Sequence, residues 1–307
     1  MDSLLNEKKK FIRHVLSNAP PGKISDLISN LKIIFGSNAI IQNFIEDIIS
    51  NYNEDNHILI PFENNEYIII CKQSKSGNLY LHPNLKILAN VNHLKRKVID
   101  TTPLKKFDYS DILEKYRQAC NNKLKEYVDI YYKKWIEHQT ENYPTVNIGS
   151  KHGLNVKCAS SVYASESENK NNLFLIICCD RYYLKNFHAS SWRSSWNVNF
   201  LETDQEIPLT GTIDVVLTYF EDANINFKTR KVFEKRVSVT NDVESFASSI
   251  LSVIRECEND VLYDLNHFIA NTSNDLIKNT RKIIPLNGDK FYWMETYQDI
   301  PTQIKLI

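Results

Sequence analysis

Cys178, Cys179 and Asp180, with His188 eight residues further on, are the nearest approach in this sequence to a nucleophile with its base. A thiolate forms at neutral pH only beside a base or a cation, and imidazole is the usual helper. The two cysteines, however, close an apolar run that reads as a strand, where neighbouring side chains point to opposite faces. They are expected to be reduced core residues. Glu221-Asp222 precede Ala223-Asn224 between two apolar runs, which is the setting of a hairpin turn rather than of paired catalytic acids. The eight histidines are scattered, with no HExxH. The six cysteines show no CxxC, and the seven glycines build neither GxxxxGK[ST] nor GxGxxG. No catalytic residue, metal site or cofactor is expected.

Two clusters remain. In Trp192-Arg-Ser-Ser-Trp196, strand geometry puts Trp192, Ser194 and Trp196 on one face, with Arg193 and Ser195 on the other. The tryptophans then dominate packing beneath a helix, as core anchors. The second cluster is C-terminal. Lys278, Arg281 and Lys282 precede Pro285, and the chain ends on Phe291-Tyr-Trp-Met and Ile304-Lys-Leu-Ile307. Such apolar surface at a chain end is normally covered by something.

The elements that must position these residues follow from periodicity. Ser3–Leu16, Ser25–Phe35 and Asn38–Ser50 carry apolar residues at i, i+3, i+4 spacing and are separated by Ala19-Pro-Pro-Gly22 and Gly36. Short connections predict an antiparallel three-helix bundle. His57–Ile60, Tyr67–Cys71 and Leu79–Leu81 read as strands of a small β region. A polar link over 91–107 then leads to a helix from Tyr109 to about His138 and an aperiodic segment, Gln139–Gly153. Five strands are expected at Asn155–Ala164, Asn172–Cys179, Ser191–Leu201, Thr210–Tyr219 and Ile225–Val239. Their short connections predict an antiparallel meander.

The last periodic segment is the longest. Asn241 with Glu244 resembles a capping box. Val243, Phe246, Ala247, Ile250, Ile254, Cys257, Val261, Leu265, Phe268 and Ile269 then hold one stripe. Unbroken to Ile284, this helix would run about 66 Å at about 1.5 Å per residue. A globule of this length has a radius of gyration of only about 19 Å. Such a helix outruns its own domain, and a dimer is expected. The chain carries 37 basic and 37 acidic residues, so no global field attracts nucleic acid or an anionic membrane. No apolar run reaches the roughly 20 residues of a membrane span, and the first residues lack the apolar segment of a signal peptide. A cytoplasmic location is expected.

Several blocks, taken in order, resemble the alpha subunit of the F-actin-capping proteins. They are Ala19-Pro-Pro-Gly22, Lys185-Asn-Phe187 followed by Trp192-Arg-Ser-Ser-Trp196, Tyr219-Phe-Glu-Asp-Ala-Asn-Ile225, Arg281-Lys-Ile-Ile-Pro285 and Lys290-Phe-Tyr-Trp293. The resemblance implies an α+β chain: an N-terminal helix bundle (1–55), a small β region and linker (56–108), a helix and insertion (109–153), and a five-stranded antiparallel sheet (154–239). A long dimer-spanning helix (240–285) covers the sheet, and a mobile actin-binding tail (286–307) follows. The implied activity is calcium-independent, non-catalytic capping of actin-filament barbed ends, within the cytoskeleton. The partner would be a capping protein beta subunit or a second copy of this chain.

Carried over by position, the actin-facing residues would be Lys278, Arg281 and Lys282, with Lys290 nearby, then Trp293, Tyr297, Ile300 and Ile304. The dimer and core positions would be Trp192, Arg193, Trp196, Phe246, Ile250, Ile254 and Val261. Gly288 stands where the family has a basic residue, and Pro301 interrupts the apolar face of the tail. A dimerising adaptor that keeps the fold but binds actin weakly is the rival reading.

Overall fold

The computed structural model describes residues 2–17, 24–35, 39–133, 154–167, 170–183, 188–219, 225–240 and 242–272. The chain divides into two compact units, Met1–Ile254 and Arg255–Ile307. The first begins with α1 (Asp2–Ser17), α2 (Ile24–Phe35) and α3 (Ala39–Asp55). Ile12, Leu16, Ile28, Leu31, Ile45 and Ile49 meet in their common core, as the spacing predicts. Helix α3 runs past the expected end at Ser50. Its extension carries the buried Asn53 and Glu54, polar residues that break an apolar period. Glu54 accepts from Lys75 Nζ at 2.5 Å and from Tyr80 Oη at 2.6 Å, which fastens the bundle to the sheet that follows.

Two small sheets come next. The strands β1 (Ile58–Pro61) and β2 (Tyr67–Ile70) pair antiparallel, with Asn64 and Asn65 at positive φ between them. Their continuous apolar runs have a direct cause, since both faces are buried. Ile60, Ile68 and Ile70 pack with Tyr80, Ala89 and Val91. Leu59, Ile69 and the adjoining Cys71 pack with Tyr163, Ile176 and Cys178 of the main sheet. The second sheet has the order β3 (Lys75–Ser76), β4 (Leu79–His82), β5 (Ile87–Asn92) and β6 (Lys97–Pro103). Here the expected polar link over 91–107 is wrong. The hairpin of β5 and β6 occupies most of it, and it escaped the apolar signal because β6 is an edge strand with mostly exposed residues.

The helix expected from Tyr109 to His138 is α4 (Asp111–Val128), followed by one π-helical turn, Asp129–Lys133. Ser110 is its N-cap, accepting from Leu113 N. Residues 134–153, including the Gln139–Gly153 segment, lie outside the described residues. Arg117 of α4 is almost wholly buried. It donates to Glu114, to Asn84 Oδ1 and to the Val162 carbonyl, so that α4 is bound both to the small sheet and to the main one.

The five-stranded antiparallel sheet comprises β7 (Leu154–Ser167), β8 (Lys170–Tyr183), β9 (His188–Phe200), β10 (Glu206–Tyr219) and β11 (Ile225–Ser238). Its order is β11-β10-β9-β8-β7, the meander the short connections predict. Each strand except β11 extends beyond the expected bounds at one or both ends, because backbone pairing continues where the side chains turn polar. After it, α5 (Val243–Thr272) begins one residue later than the proposed Asn241 cap implies. Asn241 lies outside the described residues, and the described N-cap is Asp242, which accepts from Ser245 N at 2.8 Å. The described helix is 30 residues long. Its expected continuation to Ile284 and the tail lie outside the described residues.

Candidate functional site

The face of the sheet beneath α5 is built by alternation. On β9, Ser194, Trp196, Val198 and Phe200 are all buried, and Trp196 stands opposite Leu175 on β8 and Gly211 on β10. The Trp196 indole Nε1 donates to Ser194 Oγ at 2.7 Å, which gives the ring's polar atom a partner inside an apolar layer. The ring lies over Gly211 so closely that a Cβ there would overlap Trp196 Cε3. Phe233 of β11 is 5.7 Å away, centroid to centroid. Trp192 shares this face but is only half-buried.

Helix α5 is seated here by Phe246. Its ring centroid is 4.7 Å from Phe200 of β9 and 4.9 Å from Tyr116 of α4, so three elements meet on one aromatic cluster. Ala247, Ile250 and Ile254 follow on the same helical stripe and are fully or almost fully buried. In the second unit, Cys257 and Val261 continue the stripe as buried residues, whereas Leu262, Tyr263 and Phe268 are exposed.

On the opposite face Arg193 is buried. Its Nη2 lies 2.7 Å from Asp180 Oδ1 on β8, and its Nε donates to the Asn56 carbonyl just beyond α3 at 2.7 Å. The guanidinium thus joins the N-terminal bundle to the sheet, and its charge is balanced where it is desolvated. His57 sits nearby, with Nδ1 3.4 Å from Ser195 Oγ. Burial, followed by the neighbouring Arg193 charge, lowers the His57 pKa from 6.5 to about 4.

No catalytic pair assembles from Cys178 and His188. Cys178 is opposite Arg193, and His188 opens β9 five residues away, about 16 Å along a strand at roughly 3.3 Å per residue. Cys178 is fully buried, and burial pushes its thiol up to about 12. Glu221 and Asp222 lie outside the described residues, between strands that pair up to Tyr219 and Ile225. Among the described residues no group of three or more His, Cys, Asp or Glu side chains could hold a metal, and no helix is long and apolar enough to cross a membrane.

The sheet also has two outermost strands. Strand β7 is flanked by α4, while β11 is the other outermost strand of the sheet. It carries Lys228, Arg230, Lys231, Lys235 and Arg236, with Val232 65% exposed among them. Arg230 is held by Asp214 of β10 at 3.1 Å and Arg236 by Glu206 at 3.5 Å. The predicted meander already makes its last strand an edge, whereas the α5 contacts of Phe246 were not legible from sequence beyond the amphipathic stripe. Lys278, Arg281, Lys282, Lys290, Trp293, Tyr297, Ile300 and Ile304 all lie outside the described residues.

Comparison with known proteins agrees along the chain. The family model for the F-actin capping protein alpha subunit matches residues 12–300. The F-actin-capping protein subunit alpha of Arabidopsis thaliana is 24% identical over 95% of this chain and 90% of its own. That of Saccharomyces cerevisiae is 27% identical over 93% of this chain and 91% of its own. A solved structure of the homodimeric actin capping protein alpha subunit from Plasmodium berghei is 91% identical, covers 91% of this chain and 98% of that one, and superposes with a TM-score of 0.80. With a match running from the first helix to the tail, over the fold those motifs imply, this chain belongs to the F-actin capping protein alpha subunit family.

Proposed function

We propose that the chain caps actin-filament barbed ends as a homodimer, blocking gain and loss of subunits there. It works by binding alone, without catalysis, cofactor or calcium, in the cytoplasm on the actin cytoskeleton. The observation that carries this reading is the 91% identity to a capping protein alpha subunit whose structure is homodimeric. The exposed edge of β11 and the exposed Leu262, Tyr263 and Phe268 of α5 support a second protein surface against this one. Joining two β11 edges would extend the sheet across the dimer. Lys278, Arg281 and Lys282 would meet acidic actin surface, and Trp293, Tyr297, Ile300 and Ile304 would supply the apolar contact that follows. Individual exposed ion pairs contribute only about 0–1 kcal/mol, so the basic cluster acts together with the tail.

Growth of actin from barbed-end seeds tests the activity: saturating chain should stop elongation, and undiminished growth would refute capping. Mass measurement on the chain expressed alone tests the partner. A dimeric mass is expected, whereas a monomer that caps only after a beta subunit is added would replace the homodimer with a heterodimer.

A further inference from the structure

The function described above uses none of the six cysteines, yet two of them are arranged for chemistry of their own. Cys158 on β7 and Cys179 on β8 are directly opposed across the antiparallel pair, and their Sγ atoms are 2.7 Å apart. Directly opposed residues in such a pair have Cα atoms about 4.5–5.5 Å apart, within the roughly 4.4–6.8 Å that a disulfide spans. The sulfurs need close by only about 0.7 Å to reach a bonding distance of about 2.05 Å. Strand pairing on both sides, at Lys157 with Asp180 and Ala159 with Cys178, holds the two backbones in register throughout.

The pair also differs from the other thiols in access. Cys158 and Cys179 retain 9% and 8% of their surface, whereas Cys71, Cys120, Cys178 and Cys257 retain 2% or less. Arg181 lies two residues beyond Cys179 on the same face of β8, and its charge is felt by both sulfurs. The hydrogen bond to Cys158, with burial second, raises the Cys179 pKa.

We propose that Cys158 and Cys179 are an oxidisable dithiol that closes to an intramolecular disulfide with hydrogen peroxide as oxidant. One of the two sulfurs, as its thiolate, attacks one peroxide oxygen. An S–O bond forms, the O–O bond breaks, and the departing hydroxide takes a proton to become water. The other sulfur of the pair, giving up its proton, then attacks the sulfenic sulfur. The S–S bond forms, the S–O bond breaks, and a second water leaves. Two thiols and one peroxide give one disulfide and two waters. The product links two strands already paired along their length, so it requires no rearrangement of the sheet.

Hydrogen peroxide applied to the folded full-length chain tests this, with quenching by alkylation and peptide mapping by mass spectrometry. The expected result is loss of two hydrogen masses per chain, a linked peptide joining Cys158 to Cys179, and recovery with dithiothreitol. This should occur before any change at Cys71, Cys120, Cys178 or Cys257. Cys179→Ser should leave Cys158 as a sulfenic acid that a dimedone probe captures; the wild-type mapping stands without it should that variant fail to fold. Modification of any of the four deeper cysteines before a Cys158–Cys179 link forms, or a full peroxide course without that link, would overturn the proposal.

Discussion

At the scale of single residues, His57 is a histidine whose ionisation is strongly altered by folding. Its pKa drops from 6.5 to about 4 because it is buried and close to Arg193; Asp214 and Asp55 oppose the shift, and Lys72 adds to it. Between those values the unfolded chain binds a proton that the folded chain refuses, so stability falls as pH drops from about 6.5 towards 4. The full shift corresponds to at most about 3 kcal/mol. His82 and His93 are also lowered by burial and act in the same direction. Urea unfolding at pH 7 and pH 5 should show wild type losing stability on acidification, and His57→Asn losing less. An equal loss in both would remove His57 as a cause. Gly211 makes a second residue-scale point. The Trp196 ring occupies the space of its missing Cβ, so Gly211→Ala should destabilise by roughly 1–3 kcal/mol through overpacking. A smaller ring partner should relieve this, and Gly211→Ala in a Trp196→Leu background should cost measurably less than in wild type.

Elements are decided by what lies on each face. The apolar stripe of α5 was readable at 3.6-residue spacing, and Phe246, Ile250 and Ile254 are buried where it predicts. The β5–β6 hairpin was not readable, because the edge strand β6 is exposed on both faces and so has no apolar alternation to display. Strand β11 is the element on which assembly is proposed to turn. Its Val232 is 65% exposed, next to Lys231 and on the same strand face as Arg230. Val232→Lys adds a further positive charge to an edge that would face its own copy, and like charges across an interface are strongly unfavourable. The dimer should weaken by at least about tenfold in sedimentation, with far-UV circular dichroism of the protomer unchanged. A dimer of undiminished affinity would move the interface away from β11.

For the whole molecule, assembly and actin binding are proposed to reside in different segments and should separate. Deleting residues 286–307 should leave the dimeric mass intact and slow barbed-end growth less effectively than wild type. An unchanged capping affinity would assign binding to Lys278, Arg281 and Lys282 without the tail. That basic cluster implies a second readout, since capping should weaken as salt rises from low to physiological ionic strength. A salt-independent affinity would argue against an electrostatic contact. Gly288 and Pro301 bear on the same question, because each departs from the family pattern inside the segment proposed to bind.

Apart from the β5–β6 hairpin, sequence alone determined the types and order of the described elements and the antiparallel meander, because periodicity and connection length are local properties of the chain. It also carried the family motifs, down to Trp192 and Trp196 on one strand face. Tertiary structure alone decided which surfaces those elements share. The fastening of α3 to the sheet through Arg193 and the Asn56 carbonyl joins residues 137 apart in sequence. The meeting of Tyr116, Phe200 and Phe246 joins three separate elements. The opposition of Cys158 and Cys179 depends on a register in which a one-residue slip would turn the two sulfurs to opposite faces. Such pairings arise from burial and strand register over long separations, which no local pattern of residue types encodes.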